Sequence, residues 1–248
     1  MTAVPDFQLL IASTLVGFLI GAVGIGGILL IPALIAFAAL TPHQASATAL
    51  FTFIFTGILG TILFQRERSI DWRQSAAVCA GALVFSYLGA MTKASVGDAM
   101  LMRIIASLII FAGVYVLLPS RENARAHVEG GRLPLLLVIG ALSGFGSGFS
   151  GAGGPLFSVP LMVASGFAPL LAVGTSQVLQ IFSAASGSMA NVRYGEIVWP
   201  VVMWVTAGVL LGVVAGVRLA HAVSAVVLRR GAGGLCVVVG VWLLVGRG

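Results

Sequence analysis

Charged residues are scarce in this sequence, and their scarcity excludes a soluble domain. Of the 248 residues, 8% are Asp, Glu, Lys or Arg, whereas 59% are hydrophobic. A soluble domain carries charge on about 25% of its residues. The apolar residues stand in long runs, and a helix needs about 20 residues to span a bilayer. The sequence therefore predicts an all-α polytopic membrane protein, with about 8–10 membrane segments in the lipid bilayer.

Acidic and metal-binding side chains are absent from the middle of these runs. All seven carboxylates lie at the end of a run or in a loop. The two cysteines lie in apolar segments, and neither they nor the three histidines have the spacing of a metal site. Proton pumps and cation transporters carry ionisable groups inside the membrane. The sequence thus argues against both classes, and it predicts no metal and no cofactor.

Basic runs with interleaved aromatic residues are also absent, which argues against a nucleic-acid partner. The net charge of +6 is better explained by arginines in short cytoplasmic loops, as the positive-inside rule describes. No Lys or Arg precedes the first apolar run, so we do not expect a cleaved signal peptide. The predicted location is the inner (plasma) membrane of the cell, as a multi-pass protein.

Glycine, by contrast, is abundant where a membrane helix would avoid it. The apolar runs 7–40 and 133–166 are too long for one straight span, and each carries a glycine cluster, GAVGIGGILL in the first and GFSGAGGPLF in the second. Glycine weakens a helix by roughly 1 kcal/mol relative to alanine. Each cluster therefore predicts a helix break, a close helix contact or a binding site, with new helices starting at Ile28 and Pro155.

The two clusters belong to an internal repeat. A constant offset of 127 residues aligns Gly24 with Gly151, and it continues without a gap to align Thr48 with Thr175. Transporters are commonly built from such duplicated units and bind substrate where the units meet. We therefore expect an N-terminal transmembrane repeat over 1–118, a cytoplasmic linker over 119–133 and a C-terminal transmembrane repeat over 134–248.

The relative orientation of the two repeats depends on how the long runs cross. If each is one span, the halves are parallel; if each is a hairpin, the halves are inverted. The inverted arrangement places nine Lys and Arg residues on one side and four on the other, against eight and five for the parallel one. The positive-inside rule therefore favours inverted repeats.

The breaks predict where a substrate binds. A helix N-terminus inside a membrane exposes unpaired N–H groups that attract anions, although small residues also allow helices simply to pack closely. Polar residues recur in the segments that follow, and a buried amide there needs a partner. The candidate substrate-binding residues are Gly24, Gly26, Gly27, Thr48, Ser150, Gly151, Gly153, Gly154, Thr175, Ser176 and Gln177.

At these residues the sequence resembles the TauE/SafE family, also called the toluene-sulfonate uptake permease family, over nearly the whole chain. The resemblance rests on "GFLIGAVGIGG…IP", "TPHQASATAL" and "QRERSIDW", and on their counterparts "GFGSGFSGAGGPLFSVP", "APLLAVGTSQ" and "VRYGEIVWP". The family's GTS element stands at 174–176 but reads Ala47-Thr48-Ala49 in the first half. The resemblance implies passage of a small anionic substrate, namely sulfite, an organic sulfonate or a related oxyanion.

Two other functions fit parts of the sequence. Gly148-Phe149-Ser150-Gly151 is similar to the serine motif of rhomboid intramembrane proteases, but that chemistry requires a histidine base nearby. A transporter of another small solute is the second alternative. We expect no enzyme activity, and we expect export because no mid-membrane carboxylate is present to couple uptake to protons.

Overall fold

The computed structural model describes residues 7–23, 27–66, 68–118, 133–194, 196–220 and 225–245. Over these residues the chain forms ten α-helices and one turn of 3-10 helix, and no strand. The α-helices are α1 (Phe7–Val23), α2 (Leu30–Phe37), α3 (Pro42–Arg66), α4 (Trp72–Lys93), α5 (Asp98–Leu117), α6 (Leu133–Ser150), α7 (Pro155–Ala164), α8 (Pro169–Arg193), α9 (Trp199–Ala220) and α10 (Ala225–Val245). The 3-10 turn, Gly27–Leu29, precedes α2.

The outer surface of the helical bundle is apolar. Large apolar side chains such as Val245, Met203 and Phe7 are more than 70% exposed, while many Ser and Thr side chains are buried. Six of the helices, α3, α4, α5, α6, α8 and α9, are long and apolar enough to cross a membrane. A spanning helix satisfies its own backbone groups, so only its side chains need suit the lipid. The prediction of an all-α polytopic membrane protein is confirmed.

Local sequence explains where several helices begin. Pro155 and Pro169 occupy the first turn of α7 and α8, where the missing N–H of proline costs nothing. The Asp71 carboxylate accepts hydrogen bonds from the backbone N–H groups of Arg73 (2.9 Å) and Gln74 (3.1 Å) and so caps α4. In the first half, regular α-helix begins at Leu30 rather than at Ile28, because the 3-10 turn comes first.

The two halves of the chain interlock. The first helix of each half packs along the fourth helix of the other half, α1 on α9 and α6 on α4. The third helices, α3 and α8, cross at the centre, and the last helices, α5 and α10, pack on each other. Glycines permit the close contacts: a Cβ on Gly144 would overlap the backbone of Ala82. Such small residues let helices approach closely in lipid.

The helix directions follow from these contacts. The pairs α1/α9, α3/α9, α4/α6 and α4/α8 are parallel, since residue numbers rise together along each pair. The pair α3/α8 is antiparallel, because Gln180 contacts Phe53 whereas Gln177 contacts Gly60. Helices α1, α3 and α9 therefore run one way, and α4, α6 and α8 run the other. Every helix of this set has its counterpart in the other half running in the opposite direction.

The helix bounds keep the register of the repeat. Helix α8 (Pro169–Arg193) begins and ends 127 residues after α3 (Pro42–Arg66), and α9 (Trp199–Ala220) lies the same distance after α4. These bounds and the reversed directions are what an inverted duplication predicts. The duplication itself stays a prediction, as does the division of the chain at 118 and 134, since the linker at 119–132 lies outside the described residues.

The second long apolar run is a hairpin rather than one span. Helix α6 ends at Ser150, and α7 returns alongside it, so that Gly146 of α6 lies against the Phe157 ring. The backbone between them has positive φ at Gly151 (74°) and Gly153 (83°), a conformation that glycine adopts without strain. Helix α7 runs antiparallel to α8, because Gly154 lies against Gln180 whereas Ser158, four residues later, contacts Ser176. The chain therefore leaves the hairpin on the side where α6 began.

Positive charge is concentrated at one end of the bundle. Arg66, Arg68, Arg73, Arg218 and Arg230 lie at the end where α3 and α9 finish and α8 begins; we call this the arginine-rich end. Lys93, Arg103 and Arg193 lie toward the opposite end. The positive-inside rule predicts that the arginine-rich end faces the cytoplasm.

We predict that the two connections after the short helices lie on opposite sides of the membrane. A reporter enzyme fused after Gly166 should be cytoplasmic, and one fused after Leu40 should be outside, because α2 and α7 return in opposite directions. Activity of paired reporters in intact cells measures this. Two reporters on the same side would contradict the directions described above.

We also predict that Gly144→Ala destabilises the protein, because the new Cβ would overlap the backbone of Ala82 across the α4–α6 contact. Overpacking of this kind costs about 1–3 kcal/mol, so the melting temperature of the detergent-purified protein should fall. Gly234→Ala is the matched control, since a Cβ there meets nothing within 4 Å. Equal melting temperatures for both variants would refute the close contact.

Candidate functional site

The centre of the bundle is the crossing of α3 and α8. The side-chain amide of Gln180 donates hydrogen bonds to the Phe53 carbonyl oxygen (3.0 Å) and to Thr56 Oγ1 (2.7 Å). Phe53 and Gln180 are themselves related by the offset of 127, so the two halves meet at equivalent positions. Each of the three side chains is at most 5% exposed. The amide therefore provides hydrogen bonds to a carbonyl and a hydroxyl in the interior of the bundle.

The second glycine break is buried against this crossing. Residues 151–154 are all buried, and Gly151 lies against the backbone of Ser46 on α3. The Ser150 hydroxyl donates to the Gly146 carbonyl (2.6 Å) and accepts from the Ala152 N–H (3.2 Å). Ser150 thus holds the end of α6, and α7 begins beside Gln180 with Gly154 as its N-cap.

The Phe53 ring links the second break to the first. A Cβ on Gly27 would lie 2.9 Å from Phe53 Cζ, and one on Gly153 would lie 3.2 Å from Phe53 Cδ2. Both breaks therefore contact one aromatic ring at the middle of α3. The candidate residues Gly24 and Gly26 lie outside the described residues.

Three further candidate residues lie on α3 and α8 in buried positions. Thr48 Oγ1 accepts a hydrogen bond from the Val198 N–H (3.2 Å). Ser176 donates to the Ala172 carbonyl (2.6 Å) and accepts from Ser158 Oγ (2.6 Å). Thr175 Oγ1 is buried without a hydrogen-bond partner among the described residues. In this conformation the three hydroxyls face packed helices, and their role in substrate binding stays a prediction.

Gln177 faces a cavity. The cavity has a volume of about 340 Å³ and lies between α1, α3, α8 and α9. Thr56 and Gln177 carry the polar side chains among the described residues of its wall, at the inner end, and Phe64 and Pro169 line it at the arginine-rich end. Gly60 makes room for Gln177, since a Cβ there would overlap the amide. Among the predicted residues that the structure describes, Gln177 is the one that lines this cavity.

The equivalent region at the opposite end is packed rather than hollow. The cavity-lining residues Ile20 and Val213 correspond, by the offset of 127, to Ser147 and Ser86. There Ser86 donates to the Ser183 carbonyl (2.6 Å), and the hydroxyls of Ser147 and Ser183 are 3.4 Å apart. Helix α4 correspondingly packs along α8 more extensively than α9 packs along α3. The structure is therefore open on one side of the α3–α8 crossing and closed on the other.

A buried lysine completes the closed side. Lys93 is fully buried, and its Nζ atom contacts Glu196 Oε2 (2.7 Å), Asn191 Oδ1 (2.9 Å) and Ser46 Oγ (3.1 Å). These contacts join the end of α4 to α3, to α8 and to the connection before α9. Next to this cluster, the His43 ring contacts the Lys93 carbonyl oxygen (3.1 Å) and the Asp98 carboxylate (2.6 Å).

Sequence reasoning missed Lys93, Glu196 and Asn191. Glu196 is one of the seven carboxylates that the sequence places at the end of a run or in a loop, and Lys93 enters the sequence analysis only as one of the charges counted for the positive-inside rule. One feature of the sequence could have identified Lys93 and Glu196. The offset of 127 aligns Lys93 with Ala220 and Glu196 with Ser69, so neither charge is present in the other half. A charge present in one half only is unexpected where the surrounding residues follow the repeat.

Comparison with known proteins agrees with this architecture. Residues 9–244 match the model of the family described as sulfite exporter TauE/SafE. The chain belongs to the TauE/SafE family.

Curated relatives of this TauE/SafE chain are named as transporters. It is 30% identical over 215 residues to the probable membrane transporter protein YfcA of Escherichia coli (strain K12), covering 85% of this chain and 79% of the relative. It is 24% identical to the probable membrane transporter protein YdhB of Bacillus subtilis (strain 168), covering 87% of this chain and 90% of that protein. No solved structure matches the chain significantly. The membership and the names assign the chain to a family of membrane transporters.

We predict that the two glutamines of α8 differ in role. Gln177→Leu should lower transport without loss of folded protein in the membrane, because Gln177 presents its amide to the cavity. Gln180→Leu should reduce the amount of folded protein, because it removes two hydrogen bonds that join α8 to α3 at the crossing, each worth about 0.5–1.5 kcal/mol. Flux into proteoliposomes measures the effect on transport, and the yield of monodisperse protein measures the effect on folding. Unchanged kinetics in Gln177→Leu would reduce that residue to a structural role.

Proposed function

We propose that this protein is a multi-pass permease of the cell inner membrane that carries sulfur-containing oxyanions, such as sulfite or an organic sulfonate. The observation that supports it best is the cavity between the two halves, which ends at a side-chain amide and a hydroxyl. A permease needs a site that faces one side of the membrane and can be reached later from the other. The open and closed sides of the α3–α8 crossing are what such alternating access requires.

The chemistry of the cavity suits an anion with an apolar part. Gln177 supplies N–H donors at the inner end, and Leu63, Phe64 and Val213 supply apolar walls. Among the described lining residues no carboxylate is present to repel an anion. A sulfonate group would bind at the amide, with its organic portion against the walls, while the smaller sulfite would retain water.

The glycine breaks would supply further donors to the same substrate. The N-terminus of α7 lies at the centre of the bundle, beside Gln180, and helix N-termini stabilise anions. The proposed substrate-binding residues are therefore the glycines of both breaks together with Thr48, Ser150, Thr175, Ser176 and Gln177. Because residues 151–154 are buried here, their contact with substrate would require the closed side to open.

The protease alternative is weaker than the permease. The Ser150 hydroxyl is already bonded to two backbone groups at the end of α6. His43, in the first turn of α3, contacts Asp98 and the Lys93 carbonyl instead. We therefore propose that the protein is not an enzyme. Ser150→Ala should retain most transport, because Ser150 is one of several proposed substrate contacts and its hydroxyl already bonds to two backbone groups, whereas a protease that used Ser150 as its nucleophile would lose all activity.

A substrate panel in proteoliposomes tests the proposed function. Sulfite, sulfate, methanesulfonate and benzenesulfonate should be compared with an amino acid and a divalent cation. Saturable flux of at least one sulfur oxyanion supports the proposal. Flux of only the amino acid or the cation would contradict the proposal and would indicate a transporter of another solute.

We predict that the electrical potential drives anion movement, which favours export. A charge crossing the membrane gains about 2.3 kcal/mol per 100 mV, and a cell interior is negative. With no proton or sodium gradient, an inside-positive potential should draw sulfite into proteoliposomes, and an inside-negative potential should oppose it. Accumulation that follows only an ion gradient, indifferent to the potential, would exclude this uncoupled mechanism.

A further inference from the structure

Lys93 is the one charged side chain that is buried among the described residues. Its ammonium group is held by a carboxylate, an amide oxygen and a hydroxyl oxygen from three separate parts of the chain. Replacing a buried ion pair by apolar residues is often neutral or stabilising. Stability is therefore a weak reason for this pair, and a conformation in which the pair separates explains it better.

The Lys93–Glu196 pair lies on the closed side of the α3–α8 crossing, at the position that corresponds to the cavity on the open side. By the offset of 127, Ser46 and Asn191 correspond to Val173 and Phe64, which both line the cavity. The Lys93 cluster is thus the equivalent, at the opposite end, of the cavity wall. A substrate that passes the α3–α8 crossing from the cavity arrives at this cluster.

The Lys93 cluster combines hydrogen-bond donors on two helices with a carboxylate on the segment that connects α8 to α9. Lys93 and Asn191 lie on α4 and α8, whereas Glu196 lies in the connection between α8 and α9. The Glu196 side chain is 14% exposed, and that of Lys93 is fully buried. Asn191 Nδ2 is buried without a hydrogen-bond partner among the described residues. An unused amide donor beside an ammonium group is an arrangement that a second anion oxygen would complete.

We propose that Lys93 and Asn191 form a binding site for the transported oxyanion at the end opposite the arginine-rich end, and that the Glu196 carboxylate fills this site in the present conformation. The proposal rests on the proposed function, since it names a second site for the same substrate. A sulfite or sulfonate oxygen takes the place of Glu196 Oε2 at Lys93 Nζ, and another accepts from Asn191 Nδ2. Glu196 then turns toward the aqueous end of the connection, and the closed side opens.

Three variants test the site by the half-saturating concentration, KM, of sulfite flux into proteoliposomes. Glu196→Gln removes the competing charge but keeps the shape of the side chain and an amide oxygen that accepts from Lys93 Nζ, so Lys93 retains a neutral partner and KM should fall about tenfold. Lys93→Met combined with Glu196→Gln removes both charges together and leaves neither buried alone, so KM should rise tenfold or more. Arg193→Met is the matched control, because it removes an exposed positive charge two residues from Asn191 and should leave KM unchanged.

The outcomes separate this inference from the proposed function. Wild-type flux of sulfur oxyanions with the expected opposite shifts in KM supports both. Wild-type flux with the same KM in Glu196→Gln overturns the binding site alone, even if the double variant fails to fold. A change in maximal rate at constant KM also overturns it, since it would make the pair a structural latch. A wild-type protein that carries no sulfur oxyanion removes the proposed function and this site together.

Discussion

The absence of water inside the bilayer is the constraint on which this structure depends. A helix may break there only where neighbouring groups satisfy or cover the exposed backbone. The crossing of α3 and α8 provides that cover, because Phe53 contacts both breaks and Gln180 bonds to the carbonyl of the same phenylalanine. Both half-length helices, α2 and α7, therefore start near one point. The interlocking of the halves follows, since each half supplies a break and part of the cover.

The same crossing explains why the two sides differ although the halves share a register. Ser86, Ser147 and Ser183 bond on the closed side, where the open side has the apolar Ile20 and Val213. Hydrogen bonds draw α4 against α8, whereas the apolar residues leave α9 apart from α3 over the cavity. The asymmetry therefore follows from side chains that differ between the halves, and it shifts how closely the helices pack. Under the proposed function, two conformations of opposite access would differ mainly in which of these contacts is made.

Much of this architecture could be predicted from the sequence because it depends on local patterns. Pro155 and the cluster before it predict a break and a helix start, and the offset of 127 relates α3 to α8. What could not be predicted depends on distances between remote residues. Lys93 and Glu196 are 103 residues apart in the chain, and no spacing rule joins them. Gln177 and Gln180 are one turn apart, and only the neighbours of α8 decide that one faces a cavity and the other a carbonyl.

The position of Lys93, the one buried cation in the described part of the chain, also bears on how the proposed transport would avoid leakage. An unpaired charge in an apolar interior is very costly, so an empty site with a bare lysine would be unstable. With Glu196 in place the site is neutral, and with a monovalent oxyanion in place it is neutral again, while Glu196 moves toward water. The state with a high free energy is the one in which Lys93 has neither Glu196 nor an oxyanion beside it. Under the proposed scheme the closed side therefore opens only as an anion replaces the carboxylate, which links opening to the presence of substrate.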